Sequence, residues 1–121
     1  MKKNVFYIPD GTISIGSSEY ANRNDLVEVY VPDSVREIGT SAFANCKNLV
    51  KIRLPQGLTI IRKSMFSGCS SLKYINIPSS VQSIGEWAFR GCGELEDIEL
   101  PKTEIQIAAE AFLSCPKLST Q

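Results

Sequence analysis

Histidine is absent from the 121 residues of this chain, and that absence excludes several kinds of catalysis. Ser-His-Asp and Cys-His sites need an imidazole as their general base, so the sequence cannot build either one. Cysteine ligands for zinc usually come in close pairs such as C-x2-C, and the four cysteines of this chain form no such pair. We therefore predict a protein that is not an enzyme and that binds no metal and no cofactor.

Two other chemical signatures are incomplete. The stretch from Gly11 to Gly16 lacks the Lys-Ser/Thr ending of a phosphate-binding loop. Asp97 and Glu99 lie two residues apart in a predicted strand and so share one face, as an acid–base pair or a cation site would require. Because no supporting ligands or pocket are visible around these carboxylates, we interpret them as part of a solvated strand face.

The chain also lacks an excess of either charge and any long apolar run. Thirteen basic and thirteen acidic residues cancel, which removes the electrostatic argument for nucleic acid or an anionic membrane as the partner. No apolar run approaches the ~18 residues of a membrane span, so we expect no membrane insertion. No apolar segment precedes Pro9, so the start does not resemble a signal peptide. A cytoplasmic protein and a piece of a longer secreted protein both stay open.

What the sequence does contain is one spacing, repeated. Landmark residues recur every 23 positions: Cys46, Cys69, Cys92 and Cys115; Pro9, Pro32, Pro55, Pro78 and Pro101; Tyr20, Phe43, Phe66, Phe89 and Phe112; Ile15, Ile38, Ile61, Ile84 and Ile107. A fixed period of this length is typical of a solenoid in which each repeat forms one coil. Within a single domain, residues 1–121, we place repeats at 26–48, 49–71, 72–94 and 95–117, a degenerate N-terminal capping repeat at 3–25 and a stub at 118–121.

The unit 72–94 shows how each coil should fold. Its opening Leu-x-x-Ile-x-Ile alternates and predicts a short strand with Ile75 and Ile77 facing inward, ended by Pro78. The Ala-Phe pair that ends at Phe89 predicts a short helical or 3-10 return to the next coil. Because all coils wind the same way, their strands should be parallel, which predicts an α/β solenoid. In the fourth coil Ile105 follows a misplaced Glu104, so we expect a local shift there.

The cysteines share one interior position in successive coils. Their Cβ vectors should run parallel rather than face each other, which makes a disulfide hard to form. We therefore expect four reduced, buried thiols that pack as small apolar groups.

Strand residues that point away from the core should form two columns. One column is Val5, Glu28, Lys51, Tyr74 and Asp97, and the other is Tyr7, Tyr30, Arg53, Asn76 and Glu99. Tyrosine and arginine are enriched at interface hot spots, so we predict that this face binds a protein partner. The predicted partner-binding residues are Tyr7, Glu28, Tyr30, Lys51, Arg53, Tyr74, Asn76, Asp97 and Glu99. The alternative is that Tyr7 and Tyr30 merely stack and stabilise the sheet.

Two further features lie outside that face. Trp87 either anchors a partner on the opposite side or covers Ser64 and Met65 of the preceding coil. No polar unit follows the coil at 95–117, so its apolar interior and strand edge should be open. We expect self-association through residues 95–121, in which a two-fold pair would bring the terminal strands together as equals, or a longer array of repeats.

The unit L-x-x-I-x-[IL]-P-x-x-[VL]-x-x-I-[G]-x-x-[A]-F-x-x-C resembles the BspA-like leucine-rich repeats. The pattern is carried by the proline column, by Leu26, Leu49, Leu72 and Leu95, and by Phe-x-x-Cys at 43–46, 66–69, 89–92 and 112–115. The resemblance implies a curved, right-handed leucine-rich-repeat solenoid with short parallel strands.

The same resemblance implies a function as well as a fold. The family is abundant among surface proteins of anaerobic bacteria and some parasitic protists, and its members are associated with adhesion. It therefore implies a non-catalytic, cell-surface or secreted scaffold that binds a protein. A cytosolic interaction module and a purely structural segment of a longer array are the alternatives. The motif residues are core residues, so the resemblance assigns no binding residue to this chain.

Overall fold

Ten short β-strands and no helix make up residues 4–118, the part of the chain that this computed structural model describes. The strands are β1 (Val5–Tyr7), β2 (Ser14–Ile15), β3 (Glu28–Tyr30), β4 (Glu37–Ile38), β5 (Lys51–Arg53), β6 (Ile60–Ile61), β7 (Tyr74–Asn76), β8 (Ser83–Ile84), β9 (Asp97–Glu99) and β10 (Gln106–Ile107). The longer strands form one five-stranded sheet in the order β1-β3-β5-β7-β9, and every pair is parallel. This confirms the predicted parallel solenoid. The predicted stub at 118–121 lies, apart from its first residue, outside the described residues.

The shorter strands form a second ribbon that is split into two pieces, β2-β4 and β6-β8-β10. Gly39 and Gly85 lie so close to the preceding coil that an added Cβ would come within 2.7 Å of its backbone. Arg62 occupies the equivalent position in the coil between them, and there β4 and β6 do not pair. Ala108, which adds only a methyl group, keeps a 2.9 Å hydrogen bond to the Ile84 carbonyl. The split thus coincides with the one large side chain in this column.

The predicted helical or 3-10 returns are wrong. Each return is a run of tight turns in which alternate amides bond within the coil and to the next coil. The Ser41 amide donates to the Lys63 carbonyl at 3.1 Å, whereas the Ala42 amide donates to the Gly39 carbonyl at 3.2 Å. A helix needs every interior amide to bond within its own segment. Hydrogen bonds to the next coil therefore take the place of the bonds that a helix would form within the return.

Left-handed backbone conformations also interrupt these returns. Two positions in each coil have φ between 57° and 78°: Ser18, Ser41, Ser64, Trp87 and Glu110 in one column, and Asn22, Asn45, Gly68, Gly91 and Ser114 in the other. A right-handed helix cannot pass through such residues. The alternating direction of the amide bonds and the left-handed residues together explain why Ala-Phe, a pattern compatible with a helix, forms turns here.

The aromatic column forms the centre of the core. Phe43, Phe66 and Phe89 are fully buried, and their rings stack at centroid separations of 5.8 Å and 5.4 Å. Tyr20 extends the stack at one end and Phe112 at the other, both half-buried. The expected core position of the motif phenylalanines is confirmed, with weaker burial at both ends of the aromatic column.

The fourth coil shows the expected local shift. Ile105 packs against the core, although the position equivalent to Val81 is residue 104. The Gln106 amide donates to the carbonyl of Gln82, which lies 24 residues earlier, one more than the length of the repeat. Ile107 pairs with Ile84 but is 45% exposed, whereas Ile84 is 1% exposed. The expectation from the repeat pattern that Ile107 is a core residue is therefore wrong; in this coil Ile105 packs against the core instead.

All four cysteines are free and buried, which confirms the predicted buried column. Each thiol donates to a backbone carbonyl 26 residues earlier: Cys46 to Tyr20, Cys69 to Phe43, Cys92 to Phe66 and Cys115 to Phe89, at 3.0–3.2 Å. Contact with a neighbouring thiol, followed by burial, raises the pKa of both Cys69 and Cys92. Cys69 and Cys92 are thus held protonated as hydrogen-bond donors between coils, whereas contact with these two thiols lowers the pKa of Cys46 and Cys115.

Arg23 takes the place of cysteine in the first coil. Its guanidinium lies 5.6 Å from the Phe6 ring and 5.9 Å from the Tyr20 ring, and it pairs with Asp25 at 2.8 Å. Cations over aromatic faces are attracted to the ring quadrupole. A charged group therefore covers the aromatic end of the core at this side.

Candidate protein-binding face

The outward side of the five-stranded sheet, called the sheet face below, carries every residue predicted to bind a partner. Register aligns the first column as Val5, Glu28, Lys51, Tyr74 and Asp97, and in the second it pairs Tyr7 with Tyr30, Tyr30 with Arg53, and Asn76 with Glu99. The residues between the columns, Val29, Ile52 and Ile75, are at most 4% exposed and face the core. The sequence prediction that these side chains share one surface is correct in its geometry.

A fixed aromatic and cationic cluster occupies one half of the sheet face. The rings of Tyr7 and Tyr30 lie 5.8 Å apart, and the Arg53 guanidinium carbon lies 4.8 Å from the centre of the Tyr30 ring. Arg53 also pairs with Asp33 at 2.8 Å and donates to the Val31 carbonyl at 2.9 Å. The tyrosine contact considered as the alternative to binding is therefore present, with the two rings tilted by 40° rather than stacked.

Sequence reasoning missed Asp33. This residue lies in the turn after β3, and its carboxylate accepts from Arg53 and from the Gln56 amide of the next coil. These two contacts, with Arg53 the larger, lower the pKa of the Asp33 carboxyl group. The sequence signal for this contact was an acidic residue directly after the strand-ending proline, one coil before an arginine.

The other half of the sheet face combines one fixed pair with free charges. The Tyr74 hydroxyl donates to a Glu99 carboxylate oxygen at 2.9 Å, and this bond raises the pKa of Tyr74. Within residues 4–118, Glu28, Lys51 and Asp97 form no ion pair and no side-chain hydrogen bond. Their charges are therefore available to a partner.

A depression of about 160 Å³ lies on the sheet face between β5 and β7. Lys51, Arg53, Tyr74 and Asn76 form its rim, and Leu54 contributes to its wall. β5 and β7 pair only at Lys51 and Tyr74, whereas β3 and β5 pair at three positions. The depression thus opens where the pairing of the sheet is shortest, and it shares Asn76 with a wider depression of about 420 Å³ at the strand ends.

Trp87 lies among the returns rather than on the sheet face. Its indole N–H donates to a Glu110 carboxylate oxygen at 2.8 Å, while the Lys63 ammonium and the Arg90 guanidinium lie 5.2 Å and 5.4 Å from the ring. The residue is half-buried. Since charged neighbours already engage the indole, its geometry favours a role in holding coils together over that of a free anchor.

Among the residues that the structure describes, no group of three or more acidic or cysteine side chains is arranged to hold a metal ion. The same residues include no helix of the length and apolarity needed to cross a membrane.

Comparisons with known proteins agree with the observed coils. A family model described as a BspA type leucine-rich repeat region, in six copies, matches residues 2–119. The crystal structure of a leucine-rich cell surface protein from Faecalibacterium prausnitzii is 38% identical, with a TM-score of 0.93 over 98% of this chain. A leucine-rich repeat protein from T. pallidum is also 38% identical, with a TM-score of 0.89 over 94% of this chain.

A more distant match, the pneumococcal vaccine antigen PcpA, has a TM-score of 0.80 over 93% of this chain at 22% identity and supports the fold alone. The chain spans 31% of the Faecalibacterium protein, 56% of the T. pallidum protein and 29% of PcpA. A search of curated proteins finds no significant match.

Proposed function

The chain belongs to the BspA-type leucine-rich repeat family, and from that premise we propose that it is a non-catalytic scaffold that binds a protein partner through its sheet face. Repeat proteins of this family generally serve as scaffolds for protein interaction or as surface proteins. A solenoid presents a broad surface built from the same position of each coil, which suits recognition of another macromolecule.

The observation that carries this proposal is the sheet face itself. Tyr30 and Tyr74 are each 38% exposed there, Arg53 is held rigidly, and the charges of Lys51 and Asp97 are unpaired. Fixed aromatic and arginine side chains lose little conformational entropy on binding, which is why such residues dominate interfaces. Unpaired charges beside them influence the orientation of the partner and the rate of association more than the affinity.

The setting we propose is a cell surface or another extracellular location, with adhesion as the role. A protein similar to this chain over 98% of its length is described as a cell surface protein. The sequence alternatives, a cytosolic interaction module and a structural segment of a longer array, are supported respectively by the four free cysteines and by the greater length of the similar proteins.

A partner screen followed by matched variants tests the proposal. The labelled chain is applied to an array of purified surface and matrix proteins, and any partner is titrated against the double variant Tyr30→Ala with Arg53→Ala. We expect its affinity to fall at least tenfold, as for the loss of hot-spot residues. Trp87→Ala serves as the off-face control and should bind normally. An unchanged affinity in the double variant, with loss in Trp87→Ala, would place the site among the returns.

A further inference from the structure

One hydrogen bond is missing from an otherwise regular series in the main sheet. The residue after each strand donates its amide to the next coil: Ile8 to the Tyr30 carbonyl at 3.0 Å, Val31 to Arg53 at 3.0 Å and Ile77 to Glu99 at 2.8 Å. The equivalent bond from the Leu54 amide to the Asn76 carbonyl is not formed, and neither group has another backbone partner in the described chain. The residue after β5 and the last residue of β7 therefore carry one unpaired donor and one unpaired acceptor.

Burial makes the Leu54 amide unusual. Leu54 is 1% exposed, and a buried backbone N–H without a partner is rare because its desolvation is unfavourable. Leu54 and Asn76 both line the depression of about 160 Å³ described above. That space holds about five waters, at roughly 30 Å³ each, or a single polar side chain.

The chemistry of the walls selects the kind of group. A carboxylate could accept from the Leu54 amide but would set its own lone pairs against the Asn76 carbonyl. An ammonium could donate to that carbonyl, but it would meet the cations of Lys51 and Arg53 at the rim. A primary amide offers an acceptor and donors on one planar group, which matches both walls at once.

We propose that the sheet face recognises its protein partner by taking an asparagine or glutamine side chain into the depression between β5 and β7. The inserted carbonyl oxygen accepts from the Leu54 amide, and the inserted NH2 donates to the Asn76 carbonyl. The aromatic ring of Tyr74 forms part of the rim around the inserted side chain. This inference rests on the proposed function and adds the chemistry that the partner must carry.

The first test uses the free protein, with built-in controls. Hydrogen exchange of the Leu54 amide, followed by NMR on the nitrogen-15-labelled chain, should be faster than exchange at the equivalent amides of Val31 and Ile77, because only those two are bonded to the next coil. Equal protection of Leu54 and Val31 would mean that the gap is closed in solution, which overturns the inference.

The second test adds a probe. N-acetyl-glutamine methylamide should shift the Leu54 amide resonance saturably, with roughly millimolar affinity because one side chain makes few contacts, and should slow its exchange. N-acetyl-glutamate methylamide has the same main-chain amides but a carboxylate, and should leave Leu54 unchanged. Asn76→Phe, which fills the depression, should weaken the affinity for the glutamine probe at least tenfold. Val5→Phe, on the same face two strands from β5, should keep it.

Two other outcomes of the probe experiment would contradict the inference. No response to the glutamine probe would mean that water alone occupies the depression, and an equal response to both probes would mean that main-chain amides or non-specific contacts cause it. Either result overturns the inference and leaves partner binding by the sheet face, tested through Tyr30 and Arg53, untouched. A normal probe response with no loss of partner binding in that double variant would instead overturn the proposed function.

Discussion

Replacement of Gly85 by alanine is expected to destabilise the solenoid, although alanine is the mildest change available at a glycine. A Cβ at Gly85 would lie 2.7 Å from the Lys63 nitrogen and 3.0 Å from the Arg62 carbonyl carbon, both backbone atoms of the preceding coil. The coils must therefore move apart. The Gly85 amide also donates to the Ile61 carbonyl at 2.7 Å, and separation of the coils weakens that bond.

The size of the effect follows from three contributions. Overpacking against backbone costs about 1–3 kcal/mol, and loss of the hydrogen bond costs about 1 kcal/mol. Alanine lowers the entropy of the unfolded chain, which returns about 0.4–1 kcal/mol. The net loss should be about 1–3.6 kcal/mol in the free energy of unfolding, measured by urea denaturation followed by circular dichroism, with a decrease of several degrees in Tm.

Gly93→Ala provides the matched control. No atom lies within 4 Å of a Cβ at Gly93, and its φ is not left-handed, so only the entropy contribution acts. This variant should be as stable as the original chain or about 0.4–1 kcal/mol more stable. Ala108 tolerates a methyl group in the same column as Gly85, but its coil is the last in its ribbon and can move outward. A Gly85→Ala variant as stable as Gly93→Ala would refute the inference that close stacking requires glycine here.

Three other outcomes are expected. Phe66→Ala, which removes a fully buried ring, should lower the free energy of unfolding by about 3–5 kcal/mol in urea denaturation, and a loss below 1 kcal/mol would contradict a packed aromatic core. Cys69 and Cys92 have raised pKa values in the folded chain. Their contribution to the free energy of unfolding is therefore fully present below the pKa of an unfolded thiol, near 8.5. Above that pH the unfolded chain alone loses protons, so stability should fall by about 1.4 kcal/mol per thiol per pH unit, a slope that should disappear in the double alanine variant. Self-association through residues 95–121 should raise the mass in light scattering with concentration and should weaken in Ile107→Lys, whereas a constant mass would argue against it.

The columns were predictable because each landmark residue has one physical reason to recur. Proline ends a strand, and isoleucine alternates into the core. The returns were not predictable, since Ala-Phe suits a helix when only local bonds are considered. The left-handed conformation of Trp87 could not be predicted either, because tryptophan has no local preference for it and the stacked coils impose it.

The sheet face was predictable as a surface but not as a site. Strand alternation was enough to place Tyr30 and Arg53 together, because register in a solenoid follows from the repeat. The contact of Arg53 with Asp33 joins a turn to the strand of the following coil, which periodicity alone does not encode. The unbonded Leu54 amide leaves no trace in the sequence, because Leu54 fits the repeat pattern as well as Val31 or Ile77 does.

Bonds between coils run in both directions along the solenoid. The amides of Ser18, Ser41 and Ser64 donate forward, to carbonyls of the next coil, whereas those of Gly39, Gly85 and Ala108 donate back to the preceding coil. Each coil therefore presents a fixed pattern of donors and acceptors to its neighbour. A further coil that continues in the same direction meets a matching pattern, and this is the property that allows such a unit to be repeated many times without a change of sequence.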